Sequence, residues 1–311
     1  MLKTMRVGAY GVLSDAAGRT LLRRPLDSWR LPGATVEHGE QPADTVVRAF
    51  AEQTGLEVKT TRARKACAVT IDASEDHREH NTLLVYEVEA TGGEMRDENH
   101  WLRLPELDGE PVGPITAAML DIDSSEPAKA DPIPASRAVP GRRQRVGVYA
   151  WITDPQGRVL ITLIADGFSS AGKWHLPGGG LDFGEQPSES LLREIVEETS
   201  QDAELLGLRT VDSRHTPNDV NAAGDNEDYQ GIHIIYDAAV AEAKPLEIQD
   251  IGGSTGEARW MTLDELSTLP ITPAVEAALQ HWDGRVDRWI GAVPGLSAAA
   301  NIEELRDEWE R

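Results

Sequence analysis

The chain has 311 residues, of which 53 are Asp or Glu and 30 are Lys or Arg, so its formal net charge is −23. That charge argues against nucleic acids and anionic membranes as partners, because both would repel the protein. The length allows about two domains, and a hydrophobic content of 40% supports packed cores. A single cysteine, Cys67, excludes an intrachain disulfide. With no signal peptide or membrane span visible, we expect a cytoplasmic protein.

One sequence pattern occurs twice along the chain. Each copy begins with a strand, a turn and a second strand, continues through a Trp-x-Leu-Pro-Gly segment, and later has an apolar strand followed by a tryptophan-bearing segment. The matching blocks are 6–10 and 145–149, 18–21 and 157–160, 29–33 and 174–178, 83–87 and 232–237, and 101–107 and 260–266. The repeat predicts two domains of the same fold.

The repeat also sets the expected boundaries. We expect a first domain over residues 1–121 and a second over 144–281. Residues 122–143 are rich in Pro, Ser and Ala without apolar periodicity, which is typical of a linker. Residues 282–311 carry tryptophan and aliphatic side chains at helical spacing and predict an amphipathic helical tail. Acidic residues in that tail argue against a DNA-binding helix.

The most informative stretch lies in the second copy. Glu194, Glu197 and Glu198 are spaced i, i+3 and i+4, so a helix would place them on one face, where like charges repel. Three glycines at 178–180 precede this segment and leave room for a ligand close to the backbone. Such a face suits Mg2+, which takes oxygen ligands and usually shares its shell with substrate phosphates.

This stretch resembles the Nudix box, G-x5-E-x7-R-E-U-x-E-E-x-G-U, where U is a bulky aliphatic residue. The matching residues are Gly179, Glu185, Arg193, Glu194, Ile195, Glu197 and Glu198. Ser200 and Gln201 replace the last glycine and the last aliphatic residue, which puts the local turn at the helix exit in question. The resemblance implies an α/β architecture with two tandem αβα sandwich domains and mixed β-sheets.

The resemblance also implies a function. It makes Glu194, Glu197 and Glu198 ligands of Mg2+ or Mn2+, with the Gly178 carbonyl a further candidate, and it pairs Arg193 with Glu185 to orient the helix. The implied reaction is attack of water on a nucleoside diphosphate linked to another moiety. The general base is left open between Glu194 and a carboxylate outside the box such as Glu227.

Further carboxylate candidates lie beyond the box. Residues 212–230 form a long polar stretch that we expect to be a loop, and Glu227 and Asp228 lie in it. Glu257 is the third candidate. The eight histidines show no metal-ligand spacing, and His175 beside the glycines could either contact substrate or simply pack.

The first copy departs from the box at the positions that matter for a metal. Ala49 and Gln53 stand where the second copy has Glu194 and Glu198. Alanine offers no oxygen, and a neutral amide binds Mg2+ far more weakly than a carboxylate does. We therefore expect the first domain to be non-catalytic. Since many members of the family are dimers, the first domain could act as a built-in second subunit, and a homodimer of the whole chain remains possible.

Two other functional classes remain open. The chain could be a metabolite sensor that binds without turnover, which suits the first copy but not the intact second box. The isomerase branch of the same fold depends on a reactive cysteine, and Cys67 is in the other domain.

Overall fold

The computed structural model describes residues 1–124, 141–220 and 224–280. Most of the expected linker and all of the expected tail at 282–311 therefore lie outside the described residues. In the part of the chain that is described, no helix is both long and apolar enough to cross a membrane.

The first domain is built on a four-stranded mixed sheet flanked by helices. Its strands and helices are β1 (Leu2–Val12), β2 (Thr20–Arg23), β3 (Gly33–Thr35), α1 (Pro42–Thr54), β4 (Leu56–Ser74), β5 (His77–Gly93), β6 (Asn99–Leu102) and α2 (Pro114–Leu120). The strand order is β3-β1-β5-β4, with β1 parallel to β5 and the other pairs antiparallel. Strands β2 and β6 form a separate antiparallel pair.

The second domain repeats this plan. Its elements are β7 (Arg142–Thr153), β8 (Val159–Ile164), β9 (Trp174–His175), β10 (Gly178–Gly180), α3 (Pro187–Thr199), β11 (Glu204–Val220), β12 (Asn226–Ala239), β13 (Thr255–Met261), α4 (Leu263–Leu266) and α5 (Pro273–Gln280). The sheet runs β11-β12-β7-β8-β13, β10 pairs with β7, and β7 is parallel to β12. Two α/β domains with mixed sheets are thus confirmed.

Three expected boundaries differ from the structure. The polar stretch 212–230 was expected to be a loop, but β11 and β12 continue through it as a hairpin as far as the pair Val220 and Asn226. The prediction was wrong because the backbone pairing of β11 with β12, and hydrogen bonds that join Ser213 and Gln230 to the first domain, stabilise strands that lack an apolar pattern. The sequence also predicts one closing helix over residues 266–279, but α4 ends at Leu266 and α5 begins only at Pro273, with Pro270 between them. Strand β7 begins at Arg142, two residues before the expected domain start.

Helix α3 shows how the sequence forms the element that carries the box. Pro187 occupies its first turn, and Ser200 ends it in a left-handed conformation at φ 58°. Leu191 and Ile195 are fully buried against the sheet, while the box carboxylates extend from other sides of the same helix. A left-handed serine costs about 1 kcal/mol relative to glycine, so the replacement at this position keeps the turn rather than abolishing it.

The two domains pack together with approximate two-fold symmetry. Gln41 and Gln186 immediately precede α1 and α3. The Gln41 amide donates to the Ser213 carbonyl at 2.8 Å, and the Gln186 amide donates to the Ala68 carbonyl at 2.7 Å. Each glutamine therefore reaches from its own domain to the same position of the long hairpin of the other domain. Such self-complementary pairing is what a two-fold dimer interface shows.

A second symmetric pair of hydrogen bonds lies beside the first. Gly39 donates its N–H to Gln230 at 2.8 Å, and Gly184 donates its N–H to His80 at 3.2 Å. The strand registers place His80 and Gln230 at equivalent positions of β5 and β12. Buried apolar residues of both domains also join in one continuous cluster. The structure thus contains within one chain the kind of interface expected between two subunits.

Gln230 is the strongest polar link across this interface. It is fully buried, accepts from the Gly39 N–H, and donates to the Glu40 carbonyl at 2.8 Å. We expect Gln230→Ala to lower the free energy of unfolding by about 1–3 kcal/mol, because the two backbone groups would be left buried without partners. Urea unfolding measures the change. Gln156→Ala, in an exposed turn of the second domain, is the matched control, and an equal effect of both variants would contradict the assignment.

Candidate active site

The three glycines of the second domain form a turn that no other residue could occupy unchanged. Gly178 has φ 136°, and a Cβ there would lie 2.1 Å from the Val148 carbonyl oxygen. A Cβ on Gly179 would lie 2.6 Å from Cδ of Glu194, and one on Gly180 would lie 2.2 Å from a guanidinium nitrogen of Arg145. The missing side chains therefore bring a carboxylate and a cation directly against the backbone of β10.

Glu198 anchors the last turn of α3 to this glycine turn. One carboxylate oxygen accepts the Gly178 N–H at 2.9 Å, and the other accepts the Thr255 hydroxyl at 2.5 Å. Only 6% of the residue is exposed, although a solvated face was expected for the box carboxylates. Burial raises the pKa of Glu198 to about 7, against the opposing effect of its two hydrogen bonds, and Glu194 and Asp250 raise it further.

One guanidinium serves the remaining carboxylates of the box. Arg193 lies 3.3 Å from Glu185, 3.1 Å from Glu194 and 3.0 Å from Glu197. The expected pair between Arg193 and Glu185 therefore forms, but it is shared. Burial raises the pKa of Glu194 despite its contact with Arg193. Three carboxylates around one cation, with Glu198 at the glycine turn itself, leave an excess of negative charge there.

This donor set fits a hard divalent cation. Three glutamates and the Gly178 carbonyl offer oxygen atoms only, which is the chemistry that Mg2+ prefers. The carboxylate of Glu194 lies so close to the Cα of Gly179 that a methyl group would not fit there. We call the oxygen atoms of Gly178, Glu194, Glu197 and Glu198 the cradle. The structure therefore brings together Gly178, Arg193, Glu194, Glu197 and Glu198, as the box pattern predicts.

A loop between β12 and β13 brings two further groups that the sequence patterns did not reveal. Thr255 hydrogen-bonds Glu198, and Asp250 lies close enough to raise its pKa. The backbone N–H groups of Gln249 and Asp250 both donate to the Glu197 carbonyl, at 2.7 and 3.2 Å. Asp250 is therefore a carboxylate outside the box that the fold brings next to Glu197 and Glu198. The signal for it was weak, because an acid before two glycines is a common turn.

The two departures from the box pattern hold this loop in place. Ser200 donates its hydroxyl to the Glu247 carbonyl at 2.9 Å. Gln201 is fully buried, accepts from the Lys244 N–H at 2.9 Å and donates to the Lys244 carbonyl at 3.1 Å. Residues that differ from the family pattern thus tie the helix exit to the loop that carries Asp250.

An exposed cation stands beside the carboxylates. The Arg145 guanidinium lies next to Gly180 and near Tyr149 and Tyr229, with no carboxylate partner among the residues that the structure describes. In the first domain, the equivalent Arg6 is paired with Glu79 at 2.5 Å. The strand registers show that Tyr229 occupies the position of Glu79. An alignment of the two copies could have revealed this difference, because Tyr229 stands where the first copy has Glu79.

In the first domain, the amide of Gln53 occupies the position that corresponds to the Glu198 carboxylate. Gln53 accepts from the Gly33 N–H at 3.1 Å, as Glu198 does from Gly178, but it also donates to the Gly33 carbonyl at 2.8 Å. Gly33 is the counterpart of Gly178, so this amide hydrogen occupies the carbonyl that would face a metal. Arg48 makes a two-point ion pair with Glu40 at 2.8 and 2.9 Å. Glu52, the counterpart of Glu197, contacts the same guanidinium at 3.6 Å and is exposed, so the first domain keeps one carboxylate of the box triplet.

The other candidates lie elsewhere. Glu227 is close to Arg143 at 3.6 Å, and it precedes Ile235, the residue level with the glycine turn, by eight strand positions, or about 26 Å along β12. Glu257 pairs with Arg259 at 3.0 Å. His175 packs on the ring of Tyr149 and shares a hydrogen bond with Thr272 at 2.7 Å. Burial lowers the pKa of His175 to about 3, so it is neutral at pH 7.

Comparisons with known proteins show what the two domains are similar to. A family model described as "NUDIX domain" matches residues 4–120 and 143–283. A provisionally named 8-oxo-dGTP diphosphatase 3 of Mycobacterium tuberculosis is 30% identical over 173 residues, covering 55% of this chain and 72% of the relative. Nucleoside triphosphatase NudI of Enterobacter sp. is 30% identical over 139 residues, covering 42% of this chain and 92% of the relative. The structure of a MutT NUDIX hydrolase from Burkholderia pseudomallei is similar at 27% identity and a TM-score of 0.37, covering 45% of this chain and 98% of that one.

If the glutamates bind a divalent cation, the raised pKa of Glu198 should make that binding depend on pH. Its folded pKa of about 7 lies above the unfolded value of about 4.3, so in the metal-free protein the neutral form stabilises the fold at low pH and this stability is lost as pH rises through 7. A divalent cation needs the charged form, so excess Mg2+ should raise the melting temperature more above pH 7 than below it.

Thermal melting with and without Mg2+ on both sides of pH 7 measures this difference. Glu189→Gln, which removes an exposed acid from the first turn of the same helix, should keep the full Mg2+ effect, whereas Glu198→Gln should lose it. A Mg2+ effect of equal size at all pH values would contradict the role of Glu198.

Proposed function

The chain belongs to the NUDIX domain family, and on that premise we propose that its second domain is the catalytic unit of a pyrophosphatase that depends on Mg2+ or Mn2+. Its substrate class is a nucleoside diphosphate linked to another moiety. The observation that carries the proposal is the oxygen cradle made by Gly178, Glu194, Glu197 and Glu198 next to an exposed arginine. The relatives named as diphosphatase and triphosphatase support the same type of bond cleavage.

We assign metal binding to the cradle and phosphate binding to the exposed Arg145. The divalent cation, when bound, would neutralise pyrophosphate oxygens and make a coordinated water more acidic. Arg145 would bind a phosphate group from the side opposite to the glutamates, because its guanidinium is exposed and faces no carboxylate in the described part of the chain. Tyr149 and Tyr229 lie near this guanidinium and offer aromatic surface and hydroxyl groups for the rest of the substrate.

Glu194 is the better placed of the two general bases considered from the sequence. Its carboxylate lies directly against the Cα of Gly179, between the glycine turn and Arg193, where an attacking water would be held. A base must lie within hydrogen-bond reach of the proton that it accepts. Glu227, at the far end of β12, does not meet that requirement in this arrangement, so we assign the proton transfer to Glu194. Arg193 keeps Glu194 and Glu197 from repelling each other before the metal binds.

The first domain is a non-catalytic partner in this proposal. Gln53 already satisfies both backbone groups of Gly33, so the Gly33 carbonyl is not free for a cation, and two of the three box carboxylates are replaced by Ala49 and Gln53. Its contribution is the surface against which the second domain packs. A phosphate-release screen with Mg2+ over ADP-ribose, dinucleoside polyphosphates, nucleotide sugars and nucleoside triphosphates tests the activity, since a pure sensor would bind without releasing product.

The conversion Glu198→Gln tests the cradle directly. Gln53 shows how an amide fits at this position, so we expect the variant to fold normally, to bond Gly178 through its amide and to lose turnover by at least about 100-fold. Steady-state kinetics and circular dichroism measure the two effects. At the neighbouring position, Glu197→Gln should lower activity. Its matched control is Glu52→Gln, at the equivalent position of the first domain, which should not. Near wild-type turnover of Glu198→Gln would refute the cradle.

Neutralising the exposed arginine tests the substrate side. A hydrogen bond to a charged group contributes about 1.5–3 kcal/mol, so Arg145→Gln should raise KM by about 10-fold to 100-fold. Arg143→Gln, two residues earlier on the same strand, is the control for the general loss of positive charge and should change KM far less. A KM unchanged by Arg145→Gln would remove Arg145 from the phosphate site.

A further inference from the structure

Two histidines and an aspartate from different domains meet at the domain interface. His38 lies in the turn before α1, while His215 and Asp228 lie opposite each other on β11 and β12. One ligand atom from each of the three residues lies within 4.8 Å of the other two. We propose that these three residues bind a divalent transition-metal ion of the Zn2+ type, at a site separate from the glutamate cradle.

The chemistry of the three donors differs from that of the cradle. Two imidazole nitrogens and one carboxylate oxygen form a borderline set that prefers zinc, nickel or cobalt over Mg2+. Tetrahedral bonds of about 2.0–2.1 Å place ligand atoms about 3.3 Å apart. Nε2 of His38 lies 3.2 Å from Oδ1 of Asp228, and Nε2 of His215 lies 2.5 Å from the same oxygen. Opening the second contact by about 0.8 Å would bring it to the spacing of metal ligands.

His38 is held ready for such a role. Its side chain is only 10% exposed, and its Nε2 atom is buried with no well-formed hydrogen bond among the described residues. The amide of Gln230 fixes the turn that carries His38, because it accepts from the Gly39 N–H and donates to the Glu40 carbonyl. A buried imidazole nitrogen that faces a carboxylate without a proper hydrogen bond is a costly arrangement, and a metal ion would satisfy it.

The neighbouring groups leave the ligand atoms accessible. The ring of His215 packs against Gly39, where a Cβ would lie 3.1 Å from Nδ1, and it meets the ring of His38 edge-on at 5.2 Å between centroids. Arg142 approaches Asp228 at 3.4 Å, but through the other oxygen, Oδ2. Oδ1 of Asp228 therefore faces the two imidazoles, and His215, which is 34% exposed, leaves one side of the cluster open to solvent.

The symmetry of the interface shows that the fold alone does not require this cluster. The equivalent positions on the other side of the approximate two-fold axis hold Phe183, Thr70 and Arg78. None of these three is a metal ligand of the imidazole or carboxylate type. These three ligands therefore occur on one side of the approximate two-fold axis. They link the first domain to the β11–β12 hairpin of the second domain.

The site is remote from the catalytic carboxylates. Asp228 precedes Ile235, the residue of β12 level with the glycine turn, by seven positions, or about 23 Å along the strand. An ion here would join the two domains instead of taking part in hydrolysis. Its binding energy would add to the stability of the folded chain, since the unfolded chain lacks the site.

Metal titration of the full chain tests the proposal. The protein is freed of metal with a chelator and titrated with Zn2+ by calorimetry, and with Co2+ by visible absorption, in excess Mg2+ so that the glutamate cradle does not compete. We expect one equivalent to bind, a Co2+ spectrum typical of nitrogen and oxygen ligands, and a higher melting temperature with Zn2+. The variant Glu198→Gln should retain all three.

The matched variants exchange ligands for the residues that the chain itself uses at the equivalent positions. His38→Phe and His215→Thr should each weaken binding by more than about tenfold, with folding checked by circular dichroism. His100→Gln, which removes an exposed histidine of the first domain, should bind as the wild type does. Absence of stoichiometric binding, or binding that survives both variants, would overturn the proposal, as would binding that Glu198→Gln abolishes.

Discussion

The contact between the end of the box helix and the glycine turn is the constraint on which the site depends. In the second domain the Gly178 N–H is held by a carboxylate, and in the first domain the Gly33 N–H is held by an amide. Both contacts fix the helix against the sheet in the same way. They differ in one group, because the amide of Gln53 adds a donor that bonds the Gly33 carbonyl. That donor occupies the carbonyl that a metal would use in the first domain, whereas the carboxylate of Glu198 adds no such donor.

The buried charge of Glu198 explains several features around it. A carboxylate that is 6% exposed is costly to ionise, and the hydrogen bonds from Gly178 and Thr255 offset only part of that cost. The loop that supplies Thr255 also brings Asp250, which adds further negative charge. Ser200 and Gln201 hold this loop to the helix exit. The two residues that depart from the family pattern are therefore part of the support of the site.

The interface between the two domains has the symmetric contacts of a two-fold dimer. The symmetric hydrogen bonds of Gln41 and Gln186, together with the shared apolar cluster, reproduce inside one chain the contacts of a two-fold dimer. A fused pair no longer needs identical halves, so the copies are free to differ. One half keeps the carboxylates, the other replaces them with Ala49 and Gln53, and only one side of the interface gathers His38, His215 and Asp228.

Much of this arrangement could be predicted from the sequence. The spacing of Glu194, Glu197 and Glu198 and the glycines before them determine a helix face and a turn, because the helical period and the lack of a Cβ act within a few residues. The repeat determines two domains of one fold for the same reason, since equal local patterns form equal elements. The substitutions at Ala49 and Gln53 likewise identify the half that lacks ligands.

Only the tertiary structure decided what surrounds those residues. The burial of Glu198, the approach of Asp250 and the lack of a carboxylate partner for Arg145 among the described residues depend on segments more than 30 residues apart in sequence meeting in space. Residues 212–220 and 226–230 form paired strands instead of a loop because each strand and the other domain support them, which their own polar composition could not indicate. Histidines with no ligand spacing along the chain become neighbours when β11, β12 and the turn before α1 converge, since sequence spacing records only contacts within one element.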